Sequence, residues 1–143
     1  MNLLFVCTGN TCRSPMAKIL MEKMADEKGV YVNVRSRGIV ANPMDGISRG
    51  TYAVLLKEGI DSSFHQAKLL EEEDMEWADR VYTMTQSQSV TLKAKYFQQE
   101  EKIQPLGTSD VPDPFGGRLE IYEATYDVIK EHLENILEEI KGE

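Results

Sequence analysis

The sequence predicts an α/β fold: a four-stranded parallel sheet with helices on both faces. Three observations carry this reading. Residues 2–6 contain a continuous apolar run, Leu3-Leu4-Phe5-Val6, of the kind buried on both faces of a parallel sheet. Three further strand-like runs, near 31–34, 80–84 and 102–106, are separated by segments with helical spacing. That alternation implies right-handed crossovers and a sheet covered on both sides. Finally, Leu119, Tyr122, Tyr126, Ile129, Leu133, Ile136 and Ile140 recur at steps of three and four, which makes one apolar stripe on a long amphipathic helix.

Taken in order, the first strand leads into a polar loop from Cys7 to Arg13. Ser14 then reads as an N-cap and Pro15 as the first residue of a helix. Its apolar positions Met16, Ile19, Leu20, Met24 and Ala25 recur every three or four residues, and Gly29 stops it. Tyr31-Val32-Asn33-Val34 alternates as a strand and ends at a Ser36-Arg37-Gly38 turn. Asn42 to Gly46 is loop by composition. Helical patterns follow from about Ser48 to Glu58, closed by Gly59, and from about Leu69 to Ala78. Arg80 to Met84 reads as a strand, Ser87 to Phe97 as a helix and Lys102 to Leu106 as a last short strand. Asp110 to Gly117, with two prolines and two glycines, is a loop before the final helix. His132 falls on that helix's polar face and is expected in solvent. No internal repeat or low-complexity linker divides the chain, so residues 1–143 are expected to form one domain.

Composition excludes several classes. With 143 residues, 41% of them hydrophobic, the chain can bury a real core. Its net charge of −8, from 24 acidic and 16 basic residues, argues against a nucleic-acid partner. Much of the acid lies in Glu71-Glu72-Glu73-Asp74 and the C-terminal segment, where it reads as solvated helix surface. The two cysteines, Cys7 and Cys12, share one loop and form no disulfide framework, which fits a reducing cytoplasm. The N-terminal apolar run is too short for a signal sequence or a membrane span, so a soluble cytoplasmic protein without a membrane partner is expected.

The chemistry concentrates in Cys7-Thr8-Gly9-Asn10-Thr11-Cys12-Arg13-Ser14-Pro15. A thiol, five intervening residues and an arginine lie between a buried strand and a helix N-terminus, whose free N–H groups and dipole attract an anion such as phosphate. The thiolate is the nucleophilic form of cysteine, and such a site favours it. Gly9 and Asn10 tolerate left-handed backbone, which turning the loop N–H groups inward into an anion nest requires. Arg13 can grip two phosphate oxygens with its planar fork. A small buried cysteine at a strand end is the bland alternative, and the following arginine speaks against it. The residues therefore point to a cysteine-dependent phosphatase. Ligands in such sheets bind beyond the carboxyl ends of the strands, which places the Cys7 loop near the Ser36 turn.

This segment resembles the signature of the low-molecular-weight protein-tyrosine phosphatase family. Ser36 to Gly38, His65-Gln66-Ala67-Lys68-x-Leu70, Ala78-Asp79-x-Val81, Met84 and Asp113-Pro114-Phe115 follow in the family's order, so the resemblance covers the whole chain. It implies a four-stranded parallel sheet, no metal and no cofactor, and a phosphocysteine formed on Cys7 and hydrolysed by water. It assigns Asp113 to protonating the leaving group and then activating water, help worth about 10²–10⁴-fold in such reactions. Without the loop at Cys7, Asp113 would read only as an Asx turn before Pro114. The resemblance also implies that Asn10, Ser36 and His65 support the phosphate loop, whose residues Thr8 to Ser14 bind the phosphoryl group. The Ser14 hydroxyl can donate to the leaving thiolate.

Two departures bear on the substrate. Position 11 is Thr where tyrosine-directed members usually carry an apolar residue such as Ile, and Asp113-Pro114 is followed by Phe115-Gly116-Gly117 where eukaryotic members commonly have two tyrosines. Both features resemble the bacterial protein-arginine phosphatase branch, which implies phosphoarginine in proteins as substrate, with phosphotyrosine as the alternative. Guanidine, with a conjugate-acid pKa above about 12 against about 10 for phenol, is the worse leaving group and needs a proton from Asp113. Phe115 offers a stacking face to a cation. Other readings compete less well. An arsenate reductase needs further cysteines, and a thioredoxin-like role needs C-x2-C rather than C-x4-C. A phosphate-binding module without turnover has no use for both Cys7 and Asp113. Cys12 is placed to cap an oxidised Cys7 as a reversible disulfide. Phosphorylated proteins are the expected partners, and the chain is expected to act as a monomer.

Overall fold

A computed structural model describes all residues, 1–143. Four parallel strands, β1 (Asn2–Cys7), β2 (Asn33–Gly38), β3 (Arg80–Thr83) and β4 (Ile103–Pro105), form one sheet in the order β2-β1-β3-β4. Helices α1 (Arg13–Glu27), α2 (Arg49–Lys57), α3 (Glu72–Trp77), α4 (Gln86–Lys95) and α5 (Leu119–Lys141) complete the fold, with a 3₁₀ segment at Phe97–Lys102. The expected sheet and its covering helices are present.

Alternation along β1 explains its unbroken apolar sequence. Leu3, Phe5 and Cys7 point into a core of 24 buried residues shared with α1, α2 and α5. Leu4 and Val6 point the other way, into a smaller core with Met75, Val81, Leu92, Tyr96 and Ile103. At roughly 25 cal/mol per Å² of apolar area, burial on both faces is the main force holding this central strand. From Tyr122 to Ile136 the α5 stripe is buried as the spacing predicts, while Leu119 remains exposed. No helix is long and apolar enough to cross a membrane.

Several local expectations need correction. Helix α1 begins at Arg13, with Cys12 at its N-cap and no side-chain cap, so Ser14 and Pro15 lie inside its first turn. Ser14 spends its hydroxyl elsewhere, as described below. The helix ends as expected: Gly29 takes φ 68°, its N–H bonds the Asp26 carbonyl and the Val30 N–H bonds that of Ala25. Strand β2 starts two residues late, because its register is set by Asn33 opposite Asn2, and Tyr31 stays exposed. Ser36 to Gly38 form the end of this strand rather than a turn. Leu69 bridges Gly38 in extended backbone, so α3 starts only at Glu72.

Two polar predictions also fail. Asp74 is 3% exposed, not solvated surface. It caps α3 through the Glu71 N–H at 3.0 Å and accepts from Arg35 Nη1 at 3.1 Å and Arg37 Nε at 3.0 Å. His132 is 8% exposed; it packs on Gly107, where any side chain would collide with the ring, and its Nε2 lies 3.3 Å from Ser109 Oγ.

Candidate active site

The order β2-β1-β3-β4 makes β1 the point where the chain changes direction across the sheet, and ligands in open α/β sheets bind beyond the strand ends at that point. Cys7 ends β1, and Thr8 to Cys12 carry the chain from there into α1. Loop and strand end are sewn together by the Ile39 N–H to the Cys7 carbonyl and the Val40 N–H to the Thr8 carbonyl, each 3.0 Å. Gly38 is required here, because a Cβ would sit 2.8 Å from the Thr8 carbonyl oxygen and 3.0 Å from the Asn10 Cβ.

Asn10 shapes the loop. It is the one non-glycine residue with positive φ, at 56°, and it is fully buried. Its Nδ2 donates to Ser14 Oγ at 2.7 Å, and its Oδ1 accepts the Lys68 N–H at 3.0 Å. Its carbonyl lies 2.8 Å from His65 Nε2. Burial, then the nearby Lys18 and Lys68 charges, push the His65 ring below its ordinary value against the pull of that carbonyl. The ring is therefore neutral at pH 7 and donates from Nε2. Gly9 keeps negative φ, so only half of the expected left-handed pair is used. Ser36, paired with Phe5 in the sheet, is buried, but its hydroxyl makes no hydrogen bond to the loop. Of the supporting trio, the structure brings Asn10 and His65 onto the loop and leaves Ser36 behind it.

Cys7 and Arg13 are both buried, at 3% and 5% exposure. Ser14 Oγ lies 2.8 Å from Cys7 Sγ and accepts from Asn10, so its one proton is shared between the sulfur and the more distant Arg37 carbonyl at 3.5 Å. Arg13 Nη1 donates to the Val111 carbonyl at 2.9 Å, which fixes the guanidinium plane, while Nη2 lies 3.8 Å from Asp113 Oδ2. Asp113 also accepts the Phe115 N–H at 3.1 Å, so the Asx turn and the aimed carboxylate coexist. Thr11 is half-buried, with Oγ1 3.6 Å from Cys12 Sγ. Cys12 closes the loop at the α1 N-cap, buried, with Sγ 3.6 Å from the Tyr122 hydroxyl, and both cysteines are free thiols. Burial and the Cys12 contact push the Tyr122 phenol up to about 12.

A cavity of about 250 Å³ is lined by Cys7, Thr8, Gly9, Thr11, Cys12, Arg13, Asp45, Asp113 and Phe115. It therefore collects a thiol, a row of loop residues, a guanidinium and carboxylates from distant parts of the chain. Three contributors were not singled out from the sequence. Gln88 Nε2 donates to Thr8 Oγ1 at 3.1 Å while its Oε1 accepts the Met84 and Thr85 N–H groups. The only sequence signal for it is the Thr85-x-x-Gln88 capping box of α4. Thr51 Oγ1 donates to the Cys12 carbonyl at 3.2 Å, and Asp45 lines the cavity from the loop before α2. No three His, Cys, Asp or Glu side chains are grouped to hold a metal ion.

A buried thiol in an anion-receiving loop at a helix N-terminus, with an arginine clamp and a carboxylate at the mouth, defines a cysteine-dependent phosphatase site. Residues 2–143 match the family described as low molecular weight phosphotyrosine protein phosphatase, and the chain belongs to it. A protein-arginine-phosphatase from Bacillus subtilis is 37% identical, over 99% of this chain and 97% of that protein. Among solved structures, YwlE arginine phosphatase, captured as a mutant with a phosphorylated active-site serine, superposes with a TM-score of 0.94 at 36% identity, covering 99% of this chain and 96% of that one. The low molecular weight protein tyrosine phosphatase of T. tengcongensis gives 0.93 at 37% identity, covering 97% and 99%.

Proposed function

We propose that this phosphatase removes phosphate from phosphoarginine in proteins. The observation that carries the reading is the wall around Cys7. Thr11 lines the same cavity as the nucleophile and brings a hydroxyl to its wall, Asp113 Oδ2 is 3.8 Å from Arg13 Nη2, and the exposed Phe115 edges that cavity. A phenol ring gains little from a hydroxyl and a carboxylate; a guanidinium pairs with both and stacks on the phenyl face. The likeness to protein-arginine-phosphatases supports the same substrate.

In this reading the loop N–H groups and Arg13 hold the phosphoryl oxygens, where charge grows in the transition state. Cys7 Sγ attacks phosphorus, and the P–N bond breaks with its electron pair on nitrogen. Asp113 supplies a proton, so the leaving group departs as guanidinium. Water then gives a proton to Asp113 and attacks the phosphocysteine; the S–P bond breaks, and the thiolate leaves under the Ser14 hydroxyl. Asn10 and His65 act as positioning residues through the loop. Cys12 takes a protective role under oxidation. A sulfenic acid on Cys7 condenses with the Cys12 thiol, releasing water, and a reductant restores both.

The deciding experiment compares kcat/KM on phosphoarginine and phosphotyrosine peptides of the same flanking sequence, with Cys7→Ser as control. A preference for phosphoarginine, abolished by Cys7→Ser, is expected. A preference for phosphotyrosine overturns the substrate, and residual turnover by Cys7→Ser overturns the nucleophile.

A further inference from the structure

Two carboxylates line the cavity, and the reaction above uses only Asp113. Asp45 is the other. Its carboxylate has no ion-pair partner and accepts no hydrogen bond within the chain, and the residue is exposed. Its backbone, by contrast, is held at both ends. The Asp45 N–H donates to the Asn42 carbonyl and the Asp45 carbonyl accepts the Ala67 N–H, both at 2.9 Å, while Gly46 bridges Gln66. Gln66 Nε2 ties the same loop through the Pro43 carbonyl at 2.7 Å. Ala67 precedes Lys68, whose N–H holds the Asn10 side chain, so Asp45 is pinned by the segment that also shapes the phosphate loop.

An unpaired carboxylate carried on a pinned backbone at the mouth of an anion site is unfavourable for a ligand that is only anionic, because like charges repel across a narrow gap. It becomes favourable when the ligand's outer part is cationic. A guanidinium is charged at every physiological pH and presents N–H donors on more than one edge. Asp113 can face the edge that carries the scissile nitrogen, which leaves the outer edge unmet.

We infer that Asp45 is a specificity-determining residue, its carboxylate accepting the outer N–H groups of the substrate guanidinium while the Cys7 loop holds the phosphoryl group. This rests on the phosphoarginine reading. The test measures kcat/KM on matched phosphoarginine and phosphotyrosine peptides for wild type, Asp45→Asn and Asp45→Glu. Because the Asp45 side chain bonds nothing in the chain, the variants should unfold at the wild-type temperature. Asp45→Asn is expected to lower phosphoarginine turnover roughly three- to fivefold, the scale of an exposed carboxylate–cation pair, and to leave phosphotyrosine turnover equal or higher. Asp45→Glu, which restores the charge, is expected to keep most of the preference. An unchanged ratio in Asp45→Asn, or an equal fall on both peptides, overturns the inference while the substrate reading stands. A wild-type enzyme that does not act on phosphoarginine overturns the substrate reading, and this inference with it.

Discussion

Replacing Asn10 by Ala tests whether the loop's shape is held by this one side chain. The change removes the 2.7 Å bond to Ser14 Oγ and the 3.0 Å bond from the Lys68 N–H, each worth about 1 kcal/mol net. It also puts Ala at φ 56°, a left-handed conformation that costs Ala about 1 kcal/mol more than Asn, whose short polar side chain can bond locally there. The sum is about 3 kcal/mol. For a chain of this length, at roughly 3 °C per kcal/mol, the melting temperature falls by about 9 °C if the loop unfolds with the whole. Activity falls further, because Ser14 is no longer held between Asn10 and Cys7. Asn10→Asp separates the terms: it keeps left-handed tolerance and the acceptor for Lys68 but cannot donate to Ser14. Thermal unfolding followed by circular dichroism, together with kcat/KM on para-nitrophenyl phosphate, reads both effects. Asn10→Ala with a wild-type melting temperature and activity within twofold of wild type would refute the reasoning.

Four other outcomes follow from the same geometry. Thr11→Ile should shift the phosphoarginine-to-phosphotyrosine ratio toward phosphotyrosine by about tenfold, as loss of a pocket hydroxyl and gain of apolar surface can do; matched peptide kinetics check it, and an unmoved ratio excludes Thr11 as the selector. Asp74→Asn should cost about 2–3 kcal/mol in urea denaturation. That is less than a fully buried pair, because Arg35 and Arg37 can turn to water. His65 resists protonation when folded, so the unfolded chain binds its proton first as pH falls. Its contribution is intact above its ordinary value of 6.5 and declines from there down through the lowered folded value, and His65→Gln should flatten this part of the stability–pH curve. After brief peroxide exposure, wild type should recover activity with thiol whereas Cys12→Ser should not; full recovery by the variant would remove the protective role.

What the sequence made legible follows from the range of the forces involved. The buried β1 run and the α5 stripe were readable because periodic burial leaves a periodic composition. Misreadings fall where a residue had two partners to choose from. Ser14 has the composition of an N-cap, but a thiol and an amide took its hydroxyl. Tyr31 has strand propensity, but the Asn2–Asn33 register excludes it. His132 looks solvated in a helical projection, and only the missing side chain at Gly107, 25 positions earlier in the chain, makes room to bury it. In the site, Cys7, Arg13 and the loop were visible because they are contiguous. Gln88, Thr51 and Asp45 reach it from separate elements, and neither periodicity nor spacing encodes that convergence.

The site divides into two parts with different physical demands. Asn10, Ser14, Arg13 and Cys7 are buried, and each bonds to a group fixed in the chain or to another of the four; any change there alters loop shape and chemistry together. Thr11, Asp45 and Phe115 line the mouth and are half-buried or exposed, and the side chains of Asp45 and Phe115 make no hydrogen bonds. Apart from the 3.6 Å contact of Thr11 with Cys12, their replacement therefore leaves the scaffold's bonds in place and changes mainly what the mouth accepts. Two observations would be hard to reconcile with this division. One is a mouth variant that lost turnover on both peptides while keeping its melting temperature. The other is a scaffold variant that changed only the ratio between them. The expected pattern is the reverse: Asn10→Ala lowers both activities together, whereas Thr11→Ile and Asp45→Asn move the ratio at constant stability.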